Sequence, residues 1–272
     1  MNLQLDDKVV VITGGAGSLG SAVARSFLEE GAMVAMADLP CKAQCPAVTM
    51  LLSKFPGRAV FIELDLCIES SIQEAAALIL RQFGAINVVV HNAATFYFAP
   101  LSEWGQPDPL EHHFQVGIQG PVQLMREIWK QYPAALQGSV VIISSIAGHV
   151  GEPNAFAYTP IKAAQKGLTL SCAQEMAPHG GWAVCVSPGH IWSDIHKSRA
   201  QAAGLSREAY EATMPNIHTT LYGRFLETQE IAQWIVVAAS PLGKAVTGQD
   251  LHATLGVEAG GFHRNYKTVI PS

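Results

Sequence analysis

Tyr158 and Lys162 stand four residues apart in "AFAYTPIKAAQKG", and residues at that spacing share one face of an α-helix. Pro160 lies between them. Proline is tolerated at the first helical position and pushes the residue before it out of the helical region. The sequence therefore predicts a helix that starts at Pro160 with Thr159 as its N-cap. Tyr158 would sit just ahead of the first turn, with the Lys162 ammonium near enough to stabilise a phenolate and lower a pKa that is ordinarily about 10. A phenol tuned in this way suits general acid/base chemistry near neutral pH. An isolated Tyr-x-x-x-Lys is better read as a half-exposed tyrosine and a solvated lysine, so the pair alone does not establish that chemistry.

A second chemical motif is "VVVITGGAGSLGSAVA", a β-branched run, a glycine-rich turn and the start of a helical pattern in that order. Glycines let the backbone approach a diphosphate, and a helix N-terminus presents free N–H groups and a positive dipole end to it. Asp38 closes the next apolar run, eighteen residues after Gly20. That is close to the roughly twenty expected of an acid that binds adenosine ribose hydroxyls. A carboxylate there repels a 2′-phosphate, and "GGAGSLGS" holds no Arg or Lys to attract one, so NAD is favoured over NADP. The other reading of Asp38 is a strand-end acid capping a turn.

The elements that must position these residues follow from the alternation of the chain. Apolar, β-branched runs at 8–13, 32–38, 59–65, 86–92, 139–145 and 182–189 are separated by stretches of helical period such as 21–31 and 71–84,. Strands alternating with helices imply a parallel sheet covered on both faces. The expected fold is α/β: one doubly wound, Rossmann-type domain over residues 1–272, with the segment from Ile191 to about Gly223 as a lid beyond the carboxyl ends of the strands.

Composition narrows the function classes. The 272 residues are 49% hydrophobic and 14% charged with a net charge of -5. No run of Lys/Arg forms a nucleic-acid footprint. The opening "MNLQLDDKVVVITGG" has acids rather than a basic region before its apolar stretch, and "IAQWIVVAAS" is too short to span a bilayer,. A cytoplasmic protein with neither nucleic-acid nor membrane partners is expected. Five scattered cysteines read as reduced thiols,. Cys41 and Cys45 lack a second ligand pair at zinc spacing, so no metal is assigned.

Taken together the motifs resemble the short-chain dehydrogenase/reductase family, over nearly the whole chain. "TGGAGSLG" (Thr13 to Gly20) is similar to its glycine motif, with Ser18 where the middle glycine is usual; "HNAA" (His91 to Ala94) resembles Asn-Asn-Ala-Gly; Ser145 precedes Tyr158 by thirteen residues; and "SPGHIWSD" resembles Pro-Gly-x-Ile-x-Thr. The resemblance implies Ser145, Tyr158 and Lys162 as catalytic residues: Ser145 holds the substrate oxygen, Tyr158 exchanges its proton, and Lys162 tunes Tyr158 and binds the nicotinamide ribose. It further implies NAD held by Gly14, Gly17, Ser18, Leu19, Gly20, Asp38, Asp65, Leu66, Asn92, Ala93, Ala94, Tyr158, Lys162, Pro188, Gly189, Ile191 and Ser193. The implied activity is hydride transfer between nicotinamide and a secondary alcohol or ketone, by a homodimer or homotetramer assembled through the helices carrying Gly117 and Tyr158. Phe96, Tyr97, Phe98, His149, Val150, Glu152, His190 and Trp192 are the implied pocket residues, whereas the adjacent His112 and His113 read as surface or interface positions.

The chain also departs from the family pattern. "FQVGIQGP" places Gly117 where the family has a catalytic asparagine, and "TGQDLHATLGVEAGG" has Thr254 and Leu255 where Asp and Gly are usual. A glycine keeps the backbone carbonyl but loses the side chain and costs a helix about 1 kcal/mol relative to alanine. A slower proton relay or a loosened helix is expected there. These departures motivate an alternative, a dinucleotide-binding sensor with little turnover, and a third reading in which the fold serves another reaction such as epimerisation. The tail after Gly261 reads as a cover for a neighbouring subunit's pocket or as a fraying end.

Overall fold

The computed structural model describes residues 2–130 and 138–259; the tail after Gly261 lies outside them. Seven strands, β1 (Val9–Thr13), β2 (Met33–Asp38), β3 (Ala59–Glu63), β4 (Val88–His91), β5 (Ser139–Ile143), β6 (Trp182–Pro188) and β7 (Asp250–Ala253), form one sheet in the order β3-β2-β1-β4-β5-β6-β7. Every neighbouring pair is parallel. The six apolar runs of the sequence are the first six strands. The seventh, "DLHA", is four residues of mixed polarity whose pairing with β6 supplies what its own pattern does not.

The helices are α1 (Ser18–Glu29), α2 (Pro46–Lys54), α3 (Glu69–Phe83), α4 (Pro109–Phe114), α5 (Gly120–Lys130), α6 (Tyr158–Met176), α7 (Asp194–Ala202), α8 (Arg207–Thr213) and α9 (Thr228–Ala239). Side chains alternate across each strand, so β1 feeds two cores. Val10 and Ile12 pack with Phe27 of α1 and Ile231 and Ile235 of α9 on one face. Val9 and Val11 pack with Ile72 and Ile79 of α3, Leu124 of α5 and Met176 of α6 on the other. Burial on both faces explains why these strands read as continuous apolar runs.

After β6 the chain bridges back through a parallel pairing of Ile191 with Leu226. Between them α7 and α8 close a small core of their own, in which Ala200, Tyr210, Ile217 and Phe225 are buried and Trp192 packs alongside. No helix among the described residues is long and apolar enough to cross a membrane.

Candidate functional site

In a parallel sheet all carboxyl ends lie on one edge, and the order reverses between β1 and β4, which opens a crevice there,. The motif residues collect along that edge. The glycine turn follows β1, Asp38 ends β2, Asp65 and Leu66 follow β3, Asn92 to Ala94 follow β4, Ser145 follows β5, and Pro188 ends β6.

The glycine turn is built by close approach. Gly14 adopts φ +63°, and a Cβ on Gly20 would lie 2.1 Å from the Gly14 carbonyl oxygen. The N-terminus of α1 has no side-chain cap, unlike α4, α8 and α9, which are capped by Asp108, Ser206 and Glu227. Its N–H groups and dipole are thus left for an anion. The buried Thr13 hydroxyl accepts the N–H groups of Asn92 and Ala93, each at 3.1 Å, and Asn92 Nδ2 donates to the carbonyls of Thr13 and Gly14. This clamp fixes the β1 turn against the β4 loop. Asn92 thus spends its amide on the turn itself.

The capping reading of Asp38 is realised: Oδ2 accepts from Ala16 N–H at 3.0 Å and Oδ1 from Leu39 N–H at 2.8 Å, so the carboxylate caps the glycine turn. Asp65 closes its own turn by accepting from Cys67 N–H. Ser18 Oγ accepts from the Asp194 N–H at 2.9 Å, which ties the start of α7 to the glycine turn.

The helix bearing Tyr158 begins two residues before Pro160, with Ala157 as its N-cap residue, which corrects the expected start. Tyr158 and Thr159 donate their N–H groups to the Ala155 carbonyl. Pro160 consequently falls in the first turn, where no intrahelical partner is lost. Thr159 Oγ1 is buried and, among the described residues, unpartnered rather than capping.

Tyr158 and Lys162 are both buried, at 9% and 4% exposure. Phe96 stacks on the Tyr158 ring at 5.6 Å, Phe98 packs at 5.5 Å and His113 meets it edge-on at 6.5 Å. Burial pushes the Tyr158 phenol up to about 12, against a hydrogen bond from Ser145 that lowers it and a repulsion from Glu152 that adds to the rise. The expectation of a lowered phenol is therefore corrected for the protein by itself. Burial outweighs the lysine, whose Nζ donates to the Ile143 carbonyl at 2.8 Å and to Gln165 Oε1 at 3.2 Å, with its charge 5.5 Å from the Tyr158 ring centre. Burial also draws Lys162 down to about 8.

Three residues that the motifs did not mark complete this arrangement. Ser144 Oγ donates to the Lys162 carbonyl at 2.6 Å and pins α6 to the end of β5. Gln165 Nε2 donates to the Gly117 carbonyl at 3.0 Å, so one side chain connects Lys162 to the backbone of a π-helical turn at Gln115–Gln119. Spacing could have found it, since Gln165 lies one turn beyond Lys162. His113 is 4% exposed, its Nδ1–H donating to Pro109 O at 2.7 Å, so it belongs to the site and not to the surface. Burial above all lowers its pKa, with the charges of His112 and Lys162 adding to the fall and the hydrogen bonds to Pro109 and Thr95 opposing it.

Gly117 has a steric cause. A Cβ there would lie 2.4 Å from Ile161 Cγ2, so Ile161 occupies the room an asparagine side chain would need. Gly117 lies within the π turn, which Gln165 braces.

Of the remaining pocket candidates, Tyr97 packs edge-on against Trp104, and Trp192 joins Tyr210 and Phe225 within the α7–α8 core. Val150 is exposed, and burial raises Glu152 and lowers His190. His149 is engaged by β7 rather than by Tyr158: its Nε2 lies 2.7 Å from Asp250 Oδ2.

With this geometry in view, comparisons with known proteins agree on one family. The model described as enoyl-(acyl carrier protein) reductase matches residues 14–258. The chain is 31% identical to an uncharacterized oxidoreductase of Bacillus subtilis, covering 89% of this chain and 95% of that protein. It is 30% identical to mouse L-fucose dehydrogenase, covering 93% and 89% respectively. Among solved structures, a dehydrogenase/reductase from Sinorhizobium meliloti aligns with TM-score 0.82 at 27% identity, over 94% of this chain and 97% of that one.

Proposed function

The chain belongs to the short-chain dehydrogenase/reductase family of oxidoreductases, and from that premise we propose that it is an NAD(H)-dependent enzyme acting on a secondary alcohol/ketone pair. The observation that carries this reading is the convergence of Ser145, Tyr158 and Lys162 at the end of β5, with Ser145 close enough to act on the buried Tyr158 phenol and Lys162 locked to β5 by its ammonium. A binding protein without turnover has no use for a buried phenol held in that way.

The residues present fit a nicotinamide dinucleotide. The glycine cradle leaves no room for a Cβ at Gly20, and the uncapped α1 N-terminus suits a diphosphate,. Gly14, Gly17, Ser18, Leu19 and Gly20 would hold that diphosphate, Asp38 the adenosine ribose, Asp65 and Leu66 the adenine, Asn92 to Ala94 and Lys162 the nicotinamide ribose, and Pro188, Gly189, Ile191 and Ser193 the nicotinamide. When bound, the cofactor supplies or accepts the hydride. The Asp38 carboxylate favours NAD because it repels a 2′-phosphate.

The protein's part is proton management. Ser145 orients the substrate oxygen toward Tyr158. In carbonyl reduction Tyr158, protonated at neutral pH, gives its proton to that oxygen, and the Lys162 ammonium stabilises the phenolate left behind. In alcohol oxidation Tyr158 takes the proton, which favours alkaline pH. The exposed Phe96 and Phe98 beside Tyr158 suit an apolar substrate face, the name L-fucose dehydrogenase of one relative supports a hydroxylated one, and the 191–223 segment is the lid over both.

Titration with NADH and with NADPH by nicotinamide fluorescence, followed by a panel of secondary alcohols, tests the proposal. Tighter NADH binding is expected, and Tyr158→Phe is expected to lower turnover by at least about 10²-fold while leaving NADH affinity intact. Preference for NADPH would refute the Asp38 argument, and full turnover by Tyr158→Phe would refute the mechanism.

A further inference from the structure

Outside this site, three side chains from distant parts of the chain meet at the edge of the sheet. Asp250 and His252 are two apart on β7 and so lie on one side of the strand,. His149 comes from the turn that follows Ser145. His149 Nε2 is 2.7 Å and His252 Nε2 3.5 Å from the same Asp250 Oδ2, the three ligand atoms all lie within 4.8 Å of one another, and the imidazole centres are 4.2 Å apart. We propose that His149, Asp250 and His252 form a binding site for a late first-row divalent cation, with Zn²⁺ as the representative ion.

The donor set is the first argument. Two imidazole nitrogens and one carboxylate oxygen are ligands such ions take, and three protein ligands leave a fourth position open. Tetrahedral zinc with bonds of about 2.0–2.1 Å sets its ligand atoms about 3.3 Å apart. The observed 2.7 and 3.5 Å from the two histidines to Asp250 Oδ2 bracket that spacing.

The shell around the ligands is the second. His252 Nδ1 is hydrogen-bonded to Glu258 Oε1, and Glu258 Oε2 in turn accepts from Thr254 Oγ1 at 2.6 Å. A carboxylate on Nδ1 makes that nitrogen the donor and leaves the Nε2 lone pair free, the carboxylate–histidine arrangement that orients metal-bound imidazoles. In the neutral ring that lone pair would face the Asp250 carboxylate oxygen, and a cation between them would bind both. The Asp250 side chain is only 4% exposed, and its Oδ1 has no hydrogen-bond partner among the described residues; the neighbouring Cys185 thiol is a weak donor,.

Access is the third. The His149 and His252 side chains are 20% and 33% exposed, so an ion reaches the ligands from solvent. Once bound it would fasten the turn after Ser145 to the edge strand.

Chelator-treated protein titrated with Zn²⁺ against a chromophoric competitor, and separately with Co²⁺ by visible absorption, tests the site. One ion per chain is expected, with a rise in melting temperature and a Co²⁺ d–d spectrum. Glu258→Gln should weaken Zn²⁺ binding about 10–100-fold, and His149→Gln and His252→Gln should each weaken it more, in protein whose circular dichroism is unchanged. Failure to bind Zn²⁺ would overturn the proposal and leave a hydrogen-bonded His–Asp–His cluster. Unchanged affinity in both histidine variants would overturn it as well, placing the ion elsewhere, as on the cysteines.

Discussion

Replacing Gly117 with alanine tests the packing account of the altered motif. The added Cβ would stand 2.4 Å from Ile161 Cγ2, over 1 Å inside the roughly 3.5–4.0 Å of ordinary carbon contacts. Isoleucine in a helix keeps one strongly preferred χ1 rotamer, so the methyl cannot swing aside cheaply. Overpacking costs about 1–3 kcal/mol, against a helical gain of about 1 kcal/mol for alanine over glycine. Gly117→Ala should therefore destabilise by about 0–2 kcal/mol. Ile161→Val keeps both γ-carbons and should preserve that penalty. Ile161→Ala removes the offending methyl at its own cost of about 2–5 kcal/mol, and in that background Gly117→Ala should turn neutral or stabilising by up to about 1 kcal/mol. Urea unfolding of the cycle should then give a coupling of about 1–3 kcal/mol with Ile161→Ala. Equal effects of Gly117→Ala in all three backgrounds, within about 0.5 kcal/mol, would refute the steric explanation.

Gln165→Glu sets a carboxylate beside Lys162, so the ammonium should persist to higher pH and the alkaline limb of the reduction rate should move upward from about 8,; an unmoved limb would separate Lys162 from that titration. Gln165→Leu leaves the Gly117 carbonyl without its amide donor and should cost about 1–3 kcal/mol in urea unfolding,. Asp38→Asn should narrow the preference for NADH over NADPH on the order of tenfold, about 1.4 kcal/mol, measured by fluorescence titration of both. His91 is buried, both its ring nitrogens lack hydrogen-bond partners among the described residues, and burial lowers its pKa to about 4. The unfolded chain therefore binds a proton through the window from about 6.5 down to 4 that the folded chain refuses, and stability present above it is lost as pH falls,. His91→Asn should remove about 2 kcal/mol of the loss between pH 7.5 and 5, read from urea midpoints at the two pH values.

The sheet and the main site were legible in the chain because their determinants are local. Strands buried on both faces leave apolar runs, the glycine turn needs glycines for close approach, and Tyr158 and Lys162 announce themselves by spacing along one helix. β7 left little trace, since four mixed residues become a strand only by pairing with β6. The start of α6 was misplaced because Pro160 is tolerated throughout a first turn, not only at its first residue. Tertiary structure decided the rest through burial and long-range proximity. It set Tyr158 high and Lys162 low by desolvation, turned His113 into the site, and filled the room beside Gly117 with Ile161. It also brought His149 to Asp250 across 101 residues of chain, a meeting that no local spacing encodes because it depends on where β5, β6 and β7 come to lie side by side.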